Sequence, residues 1–325
     1  MIILCHVHAY PPDHNAGAEW MLHHMLKWIK EHHKEDTIIV ATQDPTVTDF
    51  EGIQIINEAG PVHIRNYYRK ADIVISHLGR VGKVINNIRV VDKPAMFLMH
   101  NSHDYSSIRI IAHRSVLCFN SEYTKAAHQY GKDSVIVQPP CPVDYYKTNR
   151  GGAKVVTLIN HCKKKGADLF HALAEAMPGV EFMAVRGDYY HQEKVDLDNV
   201  TYKENTPRIT KQYALTKILL MPSSYESFGR TAIEAAASGI PTIAAPTPGL
   251  QESLGEAGIF IPIDNQPAWE EEITKLLRDK DYYKDRSDMA KRRARELEEA
   301  FAPQMKDFYK LLQKAIDRKV KEPRQ

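Results

Sequence analysis

Short apolar runs alternate with amphipathic stretches along this 325-residue chain. In the first half, residues 2–7, 37–41, 72–76, 95–99 and 116–119 are apolar, largely β-branched runs of strand length. Residues 155–159, 181–185, 218–221, 241–245 and 259–262 repeat the pattern in the second half. Between strands, residues 18–32 set Met21, Leu22, Met25, Leu26, Trp28 and Ile29 at the spacing of one helical face. Strands that alternate with helices predict βαβ units, hence parallel sheets with helices on both faces. The pattern occurs twice, so two α/β domains are expected.

Length agrees, since about 150 residues make a domain. The break is expected where Pro139-Pro-Cys-Pro142 gives way to the polar stretch Lys147-Thr-Asn-Arg-Gly-Gly152, a linker by composition. That predicts an N-terminal domain over 1–147 and a C-terminal one over 148–302. After Pro303 a last helix carries Met305, Phe308, Tyr309, Leu312 and Ile316 on one face. This helix is expected to return to the N-terminal domain, ahead of a basic tail ending at 325.

Composition narrows the function class. Apolar residues are 43% and charged residues 26%, which excludes a disordered, collagen-like or coiled-coil chain. A net charge of +2 excludes a protein that binds nucleic acid or anionic membrane by bulk charge. Cys5, Cys118, Cys141 and Cys162 are scattered, with no Cys-x-x-Cys pair, so reduced thiols are expected. The opening Met1–Val7 has no basic leader and no apolar run nears ~18 residues, so the expectation is a soluble, cytoplasmic protein.

Open parallel sheets take ligands outside the carboxyl ends of their strands, which makes the crevice between the two domains the default site. Candidate chemistry is densest over residues 220–244. There a strand ends at Met221, a polar loop carries Glu226, Gly229 permits close backbone approach, and a helix runs from Arg230 to a stop at Gly239. A helix start offers free N–H groups to an anion, and the flanking Glu226 and Glu234 suit sugar hydroxyls. The plain alternative for either glutamate is dipole compensation at a solvated helix start; the strand–loop–helix setting favours a ligand site. Asn160-His-Cys-Lys-Lys-Lys-Gly166 stands in the same setting, after the run 155–159 and before a helix over 167–177. Lys165 beside Gly166 is placed to oppose the charge of a departing diphosphate, although three lysines on a loop are often only solvated.

Glu226-Ser-Phe-Gly-Arg-Thr-Ala-Ile-Glu234, with Pro241-Thr-Ile-Ala-Ala245 and Pro248-Gly-Leu-Gln-Glu252, resembles the Glu-x7-Glu signature of the retaining glycosyltransferases of family 4. Asn120-Ser-Glu-Tyr-Thr-Lys125 and Val137-Gln-Pro-Pro-Cys-Pro-Val-Asp144 resemble further stretches of that family, with Cys141-Pro142 replacing its Asn-Gly. The resemblance implies the GT-B fold of two facing Rossmann-like domains. It implies transfer from a nucleotide-diphosphate sugar with retained configuration and with neither metal nor cofactor.

Carried over position by position, Glu234 matches the glutamate on the nucleotide ribose and Glu226 the one near the donor sugar. Phe228, Gly229 and Arg230 fall where backbone amides meet sugar and diphosphate. Lys165 matches the phosphate lysine, but Asn160 stands where the family has an arginine, and Arg230 is the candidate to supply that charge. Gly17, in Tyr10-Pro-Pro-Asp-His-Asn-Ala-Gly-Ala-Glu19, resembles the glycine loop near the diphosphate. His100 matches the histidine against the donor sugar, with His103 close enough to compete.

Other features read as decoys. His6 and His8 share a strand face but lack a third ligand at usable spacing, which argues against a metal. Asp196-Leu-Asp198 lies in a polar connection, Gly79-Arg-Val-Gly-Lys83 has the wrong spacing for a phosphate loop, and Asn199-Val-Thr201 is a sequon only in a secreted chain. The acceptor stays open among glycan, lipid, protein and nucleic acid, since loop 101–109 carries no readable code. Basic stretches at Lys291-Arg-Arg-Ala-Arg295 and Arg318-Lys-Val-Lys-Glu-Pro-Arg324 admit a membrane-surface or nucleic-acid partner. An epimerase or hydrolase on the same fold and a non-catalytic nucleotide-sugar binding protein are the competing readings.

Overall fold

A computed structural model describes residues 1–102, 115–128, 133–187 and 190–318. His103, most of the loop 101–109 and the tail 319–324 lie outside the described residues. The chain divides into two units, Met1–Pro140 with Phe301–Gln325, and Cys141–Ala300.

Among its described residues the first unit holds eight strands: β1 (Ile2–His6), β2 (Thr37–Thr42), β3 (Asp49–Phe50), β4 (Ile53–Asn57), β5 (Ile73–His77), β6 (Ala95–Met99), β7 (Ser115–Phe119) and β8 (Ser134–Ile136). Helices α1 (Gly17–His32), α2 (Gly60–Lys70), α3 (Val81–Val91) and α4 (Glu122–His128) connect them. The sheet order is β3-β4-β2-β1-β5-β6-β7-β8, parallel except for the β3–β4 edge pair. Chain direction along the sheet reverses between β1 and β5, so the switch point lies there.

Alternate residues of β1 face two cores. Ile3 and Cys5 join Met21, Leu22, Met25, Leu26 and Ile29 of α1 on one face. Leu4 joins Ile64 and Tyr68 of α2 and Val84, Ile85 and Ile88 of α3 on the other. Covering both faces with helices is what makes these strands read as continuous apolar runs.

The second unit opens with the short helix α5 (Val143–Tyr146). Its strands are β9 (Val155–Ile159), β10 (Phe182–Val185), β11 (Val200–Lys203), β12 (Thr216–Met221), β13 (Thr242–Ala244) and β14 (Gly258–Phe260). Its helices are α6 (Ala167–Ala176), α7 (Thr210–Tyr213), α8 (Arg230–Ala237), α9 (Pro248–Leu254), α10 (Gln266–Arg278) and α11 (Lys280–Asp317). All strand pairs are parallel, in the order β11-β10-β9-β12-β13-β14. This is the doubly wound order, with its switch point between β9 and β12.

The units part at 140/141 rather than 147/148. Cys141, Val143 and Tyr146 belong to the second unit's core beside Leu219, Phe228 and Ala232. The stretch that composition marks as a linker is tied down: Arg150 donates to the carbonyls of Thr216, Lys217, Ser238 and Gly239. Sequence reasoning also starts the last helix after Pro303, whereas α11 runs through it from Lys280. Pro303 lacks one N–H, yet apolar residues anchor the helix on both sides of it. Ala290, Ala294 and Leu297 pack into the second unit's core. Met305, Phe308, Tyr309, Leu312 and Ala315 pack into the first unit's core beside α1. The Tyr309 hydroxyl also donates to Asp36 at 2.7 Å, and its ring stacks on His33.

Phe308 is 1% exposed. Phe308→Ala is expected to destabilise the first unit by about 3–5 kcal/mol, the usual cost of emptying a buried aromatic site. Denaturant unfolding of the variant checks this; a loss under about 1 kcal/mol would show that the helix end is not part of that core.

Candidate active site

Both loops that sequence reasoning singled out in the second unit leave the carboxyl ends of β9 and β12, the two strands at its switch point. After β9, Asn160 takes a left-handed conformation (φ 65°), which asparagine tolerates better than most side chains. A tight turn over Lys163–Lys165 follows, and Gly166 (φ 84°) caps α6. A Cβ at Gly166 would lie 2.3 Å from the Pro222 carbonyl oxygen, so the loops touch where only glycine fits. The Ser224 amide closes the contact by donating to the Lys164 carbonyl at 3.0 Å.

This approach brings Lys165 and Glu226 together. Lys165 Nζ lies 2.5 Å from Glu226 Oε1, and Ser223 Oγ donates to the same oxygen at 2.9 Å. Glu226 is buried and Lys165 partly exposed. From the other side, Gly249 at the start of α9 lies against the Glu226 carbonyl, where a Cβ would come within 2.3 Å. The carboxylate is thus held by a cation, a hydroxyl and a packed backbone.

A second cluster sits at the start of α8. Gly229 (φ 87°) caps the helix. Arg230 Nε lies 3.1 Å from Glu234 Oε1, and Nη2 donates to the Tyr146 hydroxyl at 2.6 Å. Tyr213 donates to Glu234 Oε2 at 3.0 Å. Burial, and after it the Glu234 charge, pushes both tyrosine hydroxyls well above their ordinary range, so they remain protonated donors. Among the described residues, no side chain caps the N-terminus of α6 or α8.

Lys165, Glu226, Gly229, Arg230 and Glu234 therefore lie on the loops and helix that follow the carboxyl ends of the two central strands. Arg230 is buried with its guanidinium against Glu234 and Tyr146 rather than open. The Phe228 ring lies in the core, and its backbone nitrogen packs close to Gly249. Asn160 turns its carbonyl oxygen to Gln192 at 2.8 Å. The basic run at 291–295 is partly occupied as well: Arg293 donates to the Ser253 and Glu252 carbonyls.

In the first unit, Gly17 opens α1 on an exposed position. His100 follows β6 and meets His77, the last residue of β5, with Nε2 and Nδ1 2.9 Å apart. His8, two residues past the end of β1, has Nε2 3.5 Å from Glu19 Oε1. The ligand atoms of His8, Glu19 and His77 all lie within 4.8 Å of one another. Sequence spacing offered His8 no third ligand; the sheet supplies one, because β5 pairs beside β1. His8, His77 and His100 each end or follow a strand, and that shared position was the available signal. Burial pushes His77 well below the ordinary imidazole range, His100 down to about 4, and His8 downward too, so all three stay neutral near pH 7.

Comparison with known proteins places this geometry. Residues 189–296, the segment that carries Glu226 and Glu234, match the family model described as "Glycosyl transferases group 1". A D-inositol 3-phosphate glycosyltransferase of Mycobacteroides abscessus is 31% identical over 145 residues, covering 39% of this chain and 33% of the relative. An uncharacterized 41.2 kDa protein in the cps region of Klebsiella pneumoniae is 22% identical over 231 residues, covering 58% of this chain and 64% of that one. The chain spans about a third of the length of the inositol-phosphate relatives that it matches.

Among solved structures, Anabaena HepE in complex with UDP-glucose superposes with a TM-score of 0.80 at 16% identity, over 97% of this chain and 100% of that one. The sucrose-phosphate synthase of Thermosynechococcus elongatus gives a TM-score of 0.74 at 16% identity, over 97% and 100%. The fold is GT-B, with two Rossmann-like parallel sheets, as the sequence resemblance implies.

Acid stability tests the buried histidines of the first unit. His6 is 0% exposed, and burial, with Arg80 and Lys83 adding to it, pushes its imidazole down to about 3. The unfolded chain takes up this proton near pH 6.5 and the folded one does not, so stability is full above that pH and falls as pH drops toward 3. At pH 5.5 the loss for this one side chain is on the order of 1 kcal/mol, with Glu58 Oε2, 2.9 Å from Nε2, working against the shift. Denaturant midpoints across pH 4–7 check it: His6→Gln should flatten the slope, and an unchanged slope would contradict the placement.

Proposed function

We propose that this protein transfers a sugar from a nucleoside-diphosphate sugar to an acceptor hydroxyl, with the anomeric configuration retained and no metal ion at the leaving group. One observation carries the reading: Lys165 and the starts of α6 and α8 converge at the switch point of the second sheet around the buried Glu226. An ammonium and two positive dipole ends in one place suit a diphosphate. The group 1 match over 189–296 supports the reaction class, and the Glu-x7-Glu resemblance supports retention.

The chemistry follows from charge development. As the bond from C1 to the β-phosphate oxygen breaks, negative charge grows on that oxygen and positive charge on the sugar ring. Lys165 exchanges Glu226 for the phosphate, while the helix-start amides add a fixed positive field that needs no reorganisation. Glu226, released from Lys165, accepts hydrogen bonds from the donor sugar. Glu234, oriented by Tyr213 and Arg230, keeps acceptor capacity for ribose hydroxyls. The acceptor oxygen bonds to C1 on the face the diphosphate leaves, and its proton passes to the released phosphate oxygen. His100, being neutral, serves the sugar through hydrogen bonds rather than charge, and Gly17 offers its amide to the diphosphate.

The UDP-glucose in HepE makes a UDP-hexose the first donor to try. Release of nucleoside diphosphate from a panel of nucleotide sugars and acceptors tests the proposal, with product configuration read by NMR. The wild type is expected to form a retained-configuration glycoside, and Lys165→Ala to lower turnover by about 10²-fold or more. Donor isomerisation or hydrolysis without transfer, or full turnover by Lys165→Ala, would overturn it.

A further inference from the structure

The first unit has a switch point of its own, between β1 and β5, and three buried or half-buried ligand-type side chains meet there. We infer that His8, Glu19 and His77 form a binding site for a divalent ion of the zinc class, with a fourth position open to water or to an oxygen of a ligand. This reading is independent of the donor chemistry assigned to the second unit.

One distance in the cluster matches a metal site, and the remaining ligand atoms lie within 4.8 Å. Ligand bonds of 2.0–2.1 Å in tetrahedral array put neighbouring ligand atoms about 3.4 Å apart. His8 Nε2 and Glu19 Oε1 stand 3.5 Å apart, too long for an ordinary N–H···O hydrogen bond and close to that tetrahedral edge. The His8 and His77 ring centres are 6.0 Å apart, so the two rings draw closer when both nitrogens take one ion.

A second observation points the same way. His77 is 0% exposed, and its Nε2 has no hydrogen-bond partner among the described residues. A buried polar atom left without a partner costs free energy, and such atoms are rare in folded proteins. Its other nitrogen, Nδ1, is bonded to His100 Nε2. A proton on Nδ1, donated to His100, leaves the Nε2 lone pair facing the cluster, the arrangement in which metal-bound histidines are held from behind. His100 is then a positioning residue for His77.

The backbone supports the same assignment. His8 lies just past β1, His77 ends the neighbouring β5, and Glu19 comes from the first turn of α1. Glu19 and His77 ride on regular elements and His8 sits two residues beyond one, which fixes most of the ligand geometry. Two imidazoles and one carboxylate favour zinc-class ions over magnesium or calcium, which take oxygen ligands.

The test uses the full chain, stripped with a chelator and dialysed against Zn²⁺ or Co²⁺ alone. One equivalent of zinc per chain is expected, together with visible Co²⁺ absorption bands of a four-coordinate site. His8→Ala and His77→Ala should each weaken binding at least 10-fold and abolish the bands, with circular dichroism showing that they remain folded. His8→Ala keeps the test open if His77→Ala misfolds, because His8 is only half-buried. His63→Ala, on the exposed face of α2, should bind as the wild type does. No bound ion in the folded wild type, or equal binding in His8→Ala and the wild type, would overturn the assignment.

Discussion

The second unit depends on a contact that leaves no room for a side chain. Where the loop after β9 crosses the loop after β12, a β-carbon at residue 166 would overlap the Pro222 carbonyl, and the local backbone is left-handed besides. Glycine meets both demands. Because the loops touch there, a lysine from one and a glutamate from the other share a hydrogen bond, although 61 positions separate them in sequence. The same contact points two helix starts toward one place. The proposed anion site here is a consequence of sheet order and close backbone packing, with Lys165 supplying an ammonium charge.

The first unit applies the same geometric rule to different side chains. Its switch point gathers imidazoles and a carboxylate rather than ammonium and amides. Burial keeps those imidazoles neutral, so this edge presents lone pairs where the other presents positive charge. Two sheets of the same general order therefore offer their ligands opposite chemistry, and fold alone would not reveal it.

Strands buried on both faces were readable from the chain. Ala95–Met99 and Val155–Ile159 match the predicted bounds because every position is apolar or β-branched. Ile53–Asn57, Ser134–Ile136 and Val200–Lys203 were not foreseen; they lie toward sheet edges, are partly exposed, and so mix polar with apolar residues. Pro303 misled because tertiary anchoring on both sides outweighs one missing hydrogen bond. In the site, residue types and loops were legible, but partners were not. Nothing near Arg230 in sequence announces Tyr146, and nothing near His8 announces His77, since strand order alone makes these neighbours.

The account rests on a diphosphate occupying the switch point of the second sheet, and a crystal structure with bound UDP tests this most directly. The phosphate oxygens should lie about 3 Å from Lys165 Nζ and from first-turn amides of α8, with Lys165 drawn off Glu226. A nucleotide bound elsewhere, or one seated over an unbroken Lys165–Glu226 pair, would contradict it.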